Sequence, residues 1–243
     1  MKISTFIILL SSFCFSLQCS AKVHPSASDE EKAQSTADTS LIRNVLVIGD
    51  SIALGQGAKG TSTQCALTPD MHAPNKSFAA LVANSYNAEL MIIAKSGHGL
   101  VSNYNQFASP TMSSTIFEND TEILPTQDKA PELILIELGT NDFANFNPEP
   151  TFSQTYTKLL TILNKRYPNA EIVSLVGPML HGDDAKNVTE ATLRGIQNAS
   201  PAVQKVTKFI SLYSIEINKS DWGCSWHPNL GLHRKMAETI LAR

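Results

Sequence analysis

The segment Val45-Leu-Val-Ile-Gly-Asp-Ser51 gives the first indication of the fold class. Its four apolar residues, Val45–Ile48, have the length of a strand and are followed at once by small polar residues that favour a turn. A continuous apolar run is typical of a strand that is covered on both faces. The sequence therefore predicts a buried strand whose carboxyl end presents Gly49, Asp50 and Ser51.

Strands and helices alternate along the rest of the chain. Further predicted strands are Glu89–Ile93, Leu133–Ile136, Glu171–Val176 and Thr207–Leu212. Apolar residues at helical spacing predict helices at Phe78–Tyr86, Phe152–Leu163, around Thr189–Asn198, and across Leu232, Met236 and Ile240. Such alternation predicts the α/β class, a parallel five-stranded sheet between two layers of helices.

Polar motifs follow the predicted strands. Gly49-Asp-Ser51 follows the first, Ser96-Gly-His-Gly99 the second, Gly139-Thr-Asn-Asp142 the third and Gly177-Pro178 the fourth, while Trp226-His-Pro-Asn229 precedes the last helix. The carboxyl ends of parallel strands lie at one edge, where such sheets bind ligands. The sequence thus predicts a hydroxyl, an imidazole and a carboxamide on one rim.

Each motif also has a purely structural explanation. Gly-Asp-Ser can be a turn in which Asp50 caps the next segment, and Gly-Thr-Asn-Asp can be a polar turn. His-Pro-Asn can be a helix start with Pro228 near the first turn. The occurrence of all three in this order, each after the right element, favours a catalytic site.

These motifs resemble the sequence blocks of the SGNH (GDSL) hydrolases, whose fold is a flavodoxin-like three-layer sandwich. The residues that carry the resemblance are Gly49-Asp50-Ser51, Gly97, Gly139-Thr-Asn141 and His227-Pro228. The chain is similar in particular to carbohydrate esterase family 2, the acetylxylan esterases and sugar deacetylases, through Ala94–Leu100, Pro131–Asp142 and Gly223-Cys224 ahead of Trp226. The resemblance spans Arg43–Arg243. Many family 2 enzymes carry a β-sandwich domain ahead of the catalytic domain. A β-sandwich needs on the order of 100 residues, which is more than precede the first predicted strand in this sequence. We therefore expect the catalytic domain only.

The chemistry of these residue types agrees with ester hydrolysis. An aliphatic hydroxyl is a weak nucleophile at neutral pH, so Ser51 requires a base, and His227 is the candidate because imidazole titrates near working pH. The oxyanion formed by attack needs fixed donors. The backbone N–H groups of Ser51 and Gly97 and the side-chain amide of Asn141 are the candidates, and no metal or cofactor is expected.

The third member of a catalytic triad is not evident. Most SGNH enzymes have an Asp three residues before the catalytic His, but Cys224 occupies that position, and the nearest carboxylate is Asp221. Either Asp221 orients His227, or a backbone carbonyl does so and the site is a Ser/His dyad. The family resemblance favours the dyad.

The amino terminus predicts export. Lys2, the apolar Phe6–Leu10 region and the small residues Cys19-Ser-Ala21 are typical of a signal peptide over residues 1–21. A retained anchor and a lipidated Cys19 remain alternatives. Residues 22–42 form a polar linker that cannot bury a face, and residues 43–243 form the catalytic domain. We expect a secreted or periplasmic protein with no membrane span in its mature form.

Two cysteines remain after cleavage at Ala21, Cys65 and Cys224. An even pair in an oxidising compartment predicts a disulfide. The alternative is two buried free thiols.

The charge balance and the remaining candidate side chains indicate which classes of partner the protein binds. With 19 Lys+Arg against 22 Asp+Glu, the chain lacks the basic surface that nucleic-acid binding requires. Trp226, Tyr104 and His181 are candidate substrate contacts, although Trp226 can equally be a partly buried anchor. No pair of histidines has metal-ligand spacing. We expect a monomer whose partner is a small acetylated saccharide or a polysaccharide.

The leading functional hypothesis is a serine esterase that removes O-acetyl groups from carbohydrate. The same fold also serves lipid esterases, lysophospholipases and thioesterases, which need an apolar acyl groove. A third hypothesis, prompted by the missing Asp, is a glycan-binding protein whose active site has lapsed; Ser51, Asn141 and His227 argue against it.

Overall fold

The computed structural model describes residues 42–105 and 110–243 of the chain. The predicted signal peptide, Cys19 and nearly all of the predicted linker lie outside these residues, so those assignments stay predictions. The described residues belong to one compact unit. No helix within the described ranges is both long enough and apolar enough to cross a bilayer.

Five strands in the described residues pair into one parallel sheet. They are β1 (Asn44–Gly49), β2 (Glu89–Ala94), β3 (Leu133–Glu137), β4 (Glu171–Val176) and β5 (Thr207–Ser211). Their order is β2-β1-β3-β4-β5, the flavodoxin-like order in which the winding direction switches between β1 and β3. Ile48 is in register with both Ile93 and Ile136, so the carboxyl ends of the central strands are level. The predicted α/β class and five-stranded sheet are confirmed.

The burial of β1 explains its unbroken apolar sequence. Leu46 and Ile48 pack into the core on one face of the sheet, and Val45 and Val47 pack into the core on the other. All four side chains are fully buried. Burial of side chains of this size contributes about 2 kcal/mol each, so apolar residues are favoured at all four of these positions in β1.

Helices cover both faces of the sheet. They are α1 (Phe78–Ser85), α2 (Met112–Glu118), α3 (Asp120–Ile123), α4 (Thr140–Phe143), α5 (Thr151–Arg166), α6 (Gly182–Gln197), α7 (Pro201–Val206) and α8 (Leu230–Leu241). Helices α1 and α8 pack on the face of Val45 and Val47, whereas α5 and α6 pack on the face of Leu46 and Ile48. The predicted stripe from Phe152 to Leu163 is core, as expected.

Side-chain caps begin two of the helices that frame the site. The Ser77 hydroxyl accepts a hydrogen bond from the backbone N–H of Ala80 at the start of α1. The Asn229 side chain accepts from the N–H groups of Gly231 and Leu232 at the start of α8. Such caps accept hydrogen bonds from backbone N–H groups that have no partner within the helix. The structural explanation of His-Pro-Asn as a helix start therefore holds for Asn229, but it does not involve the side chain of His227.

One predicted boundary is wrong. The helix expected around Thr189–Asn198 begins at Gly182, about two turns earlier. Its first turn carries Asp183 and Asp184, and acidic side chains are favoured there because they interact with the positive end of the helix dipole. The polar composition of this turn hid it from a search for apolar spacing.

Candidate active site

Ser51 and His227 meet at the carboxyl edge of the sheet. Ser51 lies in the turn after β1, and His227 follows a short 3-10 turn, Cys224–Trp226, that leads towards α8. The Ser51 Oγ lies 2.9 Å from His227 Nε2. Each residue is only 7% exposed. The fold therefore brings together two side chains that are 176 residues apart in the sequence.

The other ring nitrogen of His227 determines its tautomer. Nδ1 lies 3.1 Å from the backbone carbonyl oxygen of Ser225, and a carbonyl can only accept, so Nδ1 carries the hydrogen. Nε2 is then left with its lone pair towards the Ser51 hydroxyl. Burial lowers the pKa of His227 below its ordinary value, although the Ser225 and Cys224 carbonyls partly oppose this. The imidazole is thus neutral at physiological pH.

The hydrogen bonds of Asp221 go to residues other than His227, which favours the alternative in which a backbone carbonyl orients the imidazole. Asp221 Oδ2 accepts hydrogen bonds from the backbone N–H of Asn218 at 2.7 Å and from Lys235 Nζ at 2.8 Å. Partial burial raises the pKa of Asp221, but Lys235 and the Asn218 N–H outweigh this and hold it below its usual value. The carboxylate is engaged by a helix cap and a cation, and the Ser225 carbonyl takes its place at His227.

An unusual backbone path aims that carbonyl. Ser225 and Trp226 have φ values of 50° and 63°, a left-handed conformation that non-glycine residues rarely adopt. The turn is held from outside: the Ser225 N–H donates to the Thr63 carbonyl, and the Cys224 N–H donates to the Gly57 carbonyl, both at 3.1 Å. Neighbouring structure therefore maintains a conformation that is unfavourable by itself.

The predicted disulfide is present between Cys65 and Cys224, with Cα atoms 4.6 Å apart. It joins the loop that follows Ser51 to the turn that precedes His227. The Ser225 hydroxyl also donates to the Cys65 carbonyl oxygen, at 3.3 Å. The two segments that carry the Ser/His pair are therefore joined covalently beside the site.

Asn141, in α4 directly after β3, lies beside Ser51 in the same cavity. Its Nδ2 donates to Asp50 Oδ2 at 2.8 Å and to the His98 carbonyl oxygen at 3.1 Å. Both partners accept hydrogen bonds, which fixes the orientation of the amide. Gly97 lines the cavity with a φ of 71°, and no heavy atom lies within 4 Å of the position that a Cβ would occupy. Its backbone is therefore open to an incoming molecule.

The cavity around Ser51 has a volume of about 420 Å³. Tyr104 and Trp226 stand at its walls and are 62% and 56% exposed. His181 lies instead in an adjoining cavity of about 210 Å³, lined also by Met179, Trp222 and Trp226. Of the three predicted substrate contacts, two line the cavity of the Ser/His pair, and the third borders its neighbour.

Asp142 organises the loop that carries Gly97, a role that the sequence did not suggest. Its carboxylate accepts hydrogen bonds from the backbone N–H groups of Leu100, Val101 and Ser102, at 2.8, 2.7 and 3.0 Å. Burial raises its pKa to about 6, and the three N–H groups counteract part of that rise. Asp142 thus fixes the backbone that follows Gly97.

The remaining histidines near the rim are held by the backbone. His98 Nδ1 lies 2.8 Å from the Ser96 carbonyl oxygen, and His72 Nδ1 accepts from the Gly57 N–H at 3.2 Å. In residues 42–105 and 110–243, no group of three or more His, Cys, Asp or Glu side chains could hold a metal ion.

A Ser/His pair at the switch point of a five-stranded parallel sheet, with an Asn from the short helix after β3, is the arrangement typical of SGNH hydrolases. A family model described as the GDSL-like lipase/acylhydrolase family matches residues 47–234, and the chain belongs to that family.

The similar proteins are carbohydrate esterase family 2 enzymes. The cellulase/esterase CelE of Acetivibrio thermocellus is 30% identical over 214 residues, covering 83% of this chain and 25% of CelE. An acetylxylan esterase/glucomannan deacetylase of Cellvibrio japonicus is 29% identical over 148 residues, covering 58% of this chain and 41% of that protein.

A solved structure agrees with this relationship. The family two carbohydrate esterase from Clostridium thermocellum in complex with cellohexaose has a TM-score of 0.74 and 30% identity, covering 85% of this chain and 65% of that one. The chain thus spans less than two thirds of the length of each of these three relatives.

Proposed function

We propose that this protein is a serine esterase that removes O-acetyl groups from carbohydrate. The observation that carries the proposal is the 2.9 Å contact between Ser51 Oγ and His227 Nε2, in a cavity that also contains Asn141 and Gly97. The family to which the chain belongs, and the carbohydrate esterases among its relatives, support the same activity.

The reaction begins with the Ser51 hydroxyl. His227 Nε2 accepts its proton while Oγ attacks the acetyl carbonyl carbon, and Nδ1–H keeps its bond to the Ser225 carbonyl oxygen. The imidazolium then gives the proton to the departing sugar oxygen, so the sugar leaves as an alcohol and the acetyl group remains on Ser51. A water molecule, deprotonated by the same Nε2, releases acetate and restores the hydroxyl.

The tetrahedral intermediates require donors for their oxyanion. We assign this role to the backbone N–H groups of Ser51 and Gly97 and to Asn141 Nδ2, since all three residues line one cavity. Loss of one such donor typically costs about 3 kcal/mol of barrier. The absence of a side chain at Gly97 supports this assignment, because the space over its backbone is free.

Tyr104 and Trp226 are the proposed contacts for the sugar. Both are exposed aromatic side chains at the walls of the Ser51 cavity, and an aromatic ring can bury the apolar face of a pyranose. His181, which borders the adjoining cavity with Trp226, is the proposed contact for a more distant sugar unit. A monomer that acts outside the cytoplasm on acetylated saccharides remains part of this proposal.

A substrate panel tests the function. The purified enzyme is assayed for acetate release from acetylated xylo-oligosaccharides and acetylated xylan, and for hydrolysis of aryl acetate, aryl octanoate and lysophospholipid. We expect kcat/KM to be highest for acetyl esters and comparable on small saccharides and polymer. A steep rise in kcat/KM with acyl length would support a lipid esterase instead. Carbohydrate binding with no turnover of any ester would support a lapsed glycan-binding site.

A further inference from the structure

Two buried carboxyl groups lie beneath the Ser/His pair, and the proposed reaction uses neither. Asp50 immediately precedes Ser51, and Glu137 ends β3, the strand that pairs with β1. Each is 1% exposed. Carboxyl groups are rarely buried to this extent without a partner, because transfer of the charged form out of water is costly.

Asp50 connects the turn that carries Ser51 to the Asn141 amide. Its Oδ1 accepts a hydrogen bond from the Ile52 N–H at 2.9 Å, which fixes the turn around Ser51. Its Oδ2 accepts from Asn141 Nδ2 at 2.8 Å, across 91 residues of sequence. One carboxyl group therefore contacts both the backbone of the residue after the nucleophile and the proposed oxyanion donor.

Glu137 provides the second half of the arrangement. The charge of Asp50 acts on its carboxyl group, and Glu137 Oε2 lies 3.6 Å from the position that a Cβ would take on Gly49, the residue before Asp50. Two neighbouring carboxyl groups can hydrogen-bond to each other only if one carries a proton. Within the described part of the chain, Glu137 Oε2 receives no hydrogen bond from any protein donor. A proton held on Glu137 and donated to Asp50 accounts for both observations.

We propose that Asp50 and Glu137 share one proton and act as a positioning pair that fixes the Asn141 amide for the oxyanion. The inference deepens the proposed function and rests on it. An amide nitrogen has two hydrogens. Asp50 accepts one of them. The second is directed to the His98 carbonyl oxygen, at the longer distance of 3.1 Å, and is the one that would bond to the substrate oxygen.

The surroundings of the pair agree with this division of charge. Burial, followed by the charge of Asp50, raises the pKa of Glu137 well above its usual value, so Glu137 keeps the proton. Burial also raises the pKa of Asp50 to about 7, against the opposing bonds from Ile52 and Glu137. The other groups that act on the pair are Asp142, Thr140, Tyr156 and Tyr213.

The shared proton matters because of the charge that develops above it. Two ionised carboxylates would oppose an oxyanion, whereas a pair with one proton limits the charge to that of a single anion. A neutral Asp50 would accept the amide hydrogen less strongly, because charge-assisted hydrogen bonds are about twice as strong as neutral ones. The singly protonated pair therefore keeps a charge-assisted hydrogen bond to Asn141 and places only one negative charge near the oxyanion.

Kinetics of single and double variants test the positioning role. We expect Asp50→Ala to lower kcat on aryl acetate by about 100-fold with little change in KM, because an oxyanion contact is made in the transition state. If Asp50 acts through Asn141, the Asp50→Ala/Asn141→Ala double variant should be no slower than Asn141→Ala alone. Losses that multiply in the double variant would overturn the proposal.

Two substitutions of Glu137 distinguish the loss of its hydrogen-bond donor from a change in side-chain size. Glu137→Gln keeps an N–H donor for Asp50 and should stay within about threefold of the wild-type kcat, whereas Glu137→Leu removes the donor and should lose about as much as Asp50→Ala. Glu190→Gln, at an exposed residue of α6, is the matched control and should leave kcat unchanged. Equal kcat values for Glu137→Leu and the wild type would overturn the role of Glu137.

A measurement that needs no substrate distinguishes failure of this inference from failure of the proposed function. In protein with ¹⁵N-labelled Asn side chains, the Asn141 amide resonance is assigned by its loss in Asn141→Ala and followed by NMR from about pH 5 to about pH 9. We expect it to titrate with the Asp50 pKa of about 7 and not to titrate in Asp50→Asn. A resonance that ignores pH in the wild type would overturn the pair even in an active esterase, and a titrating resonance in a protein without esterase activity would overturn only the proposed function.

Discussion

Replacement of Asp221 by Asn tests whether a carboxylate contributes to the base. The substitution keeps the size and one acceptor oxygen of the side chain but removes its charge. His227 Nδ1 bonds to the Ser225 carbonyl oxygen at 3.1 Å, whereas Asp221 bonds to Asn218 and Lys235. We therefore expect kcat on aryl acetate to fall by less than about threefold. Loss of a true triad Asp costs about ten-thousandfold.

The same substitution should have a visible effect on stability. Asp221→Asn loses an ion pair with Lys235, whose side chain is 37% exposed against 11% for Asp221. Asn can still accept from the Asn218 N–H, and Lys235 Nζ keeps its 3.0 Å bond to the Glu216 carbonyl oxygen. The expected loss is therefore about 1 kcal/mol in the free energy of unfolding.

The assay is steady-state kinetics together with chemical denaturation of the same preparations. Lys235→Met is the matched control: it should lose a similar free energy of unfolding and keep its kcat, and the double variant with Asp221→Asn should lose little more than either. A fall in kcat near ten-thousandfold, in an Asp221→Asn enzyme that is folded by its denaturation curve, would refute the argument and make Asp221 the orienting residue.

Three further predictions follow from the site and the core. Ser51→Ala and His227→Ala should each lower kcat at least about a thousandfold with the melting temperature near that of the wild type, and normal turnover in either purified variant would contradict the assignment. Removal of the Cys65–Cys224 bond, which closes a loop over a separation of 159 residues, should lower the free energy of unfolding by up to about 5 kcal/mol; two alkylatable thiols in exported, non-reduced protein, detected by mass spectrometry, would disprove the bond. Burial lowers the pKa of His233 to about 3, so between about pH 4 and about pH 6 the unfolded chain binds about one more proton at this residue, which lowers stability by about 1.4 kcal/mol per unit fall in pH relative to a variant without the imidazole. Denaturation curves at about pH 6 and about pH 4.5 measure this difference: over that interval the wild type should lose about 2 kcal/mol relative to His233→Phe, and equal changes in the two proteins would count against a buried neutral imidazole.

Much of the fold could be predicted because the central strands are mostly apolar and β1 carries no polar side chain from Val45 to Ile48. The buried runs of β1, β3 and β4 are visible in the sequence, and the rule that parallel strands share one functional edge brings Ser51 and His227 to the same rim. The helix α6 shows the limit of apolar spacing, because its first two turns are polar and its acidic residues there are stabilised by the helix dipole.

The orientation of His227 could not be predicted, because a backbone carbonyl has no sequence signal. Ser and Trp at positions 225 and 226 give no indication of a left-handed path, which glycine usually provides. The conformation depends on hydrogen bonds from the Ser225 and Cys224 N–H groups to carbonyl oxygens more than 150 residues away in the sequence, those of Thr63 and Gly57.

The buried carboxyl groups were missed for a related reason. Asp50 and Asp142 follow strands, where acidic residues usually occupy turns, and their partners lie 91 and about 40 residues away. Glu137 did offer a signal, since it is a charged residue inside the apolar run Leu133–Leu138, in a strand buried on both faces. A carboxyl group at such a position requires a proton or a partner.

The backbone acceptor of His227 has a consequence for which mutations the enzyme tolerates. A main-chain carbonyl remains whatever side chain its own residue carries, so a library that varies residue 225 should retain most of its active members. Proline and β-branched residues are the exceptions, because they are incompatible with a φ of 50°. The sensitive positions are Gly57 and Gly60, where an added Cβ would collide with the backbone of Cys224. Gly223 is equally sensitive, because a Cβ there would collide with the backbone of Gly57. Inactivating changes to the catalytic base should therefore include substitutions far from His227 in the sequence, at two small residues with no chemistry of their own.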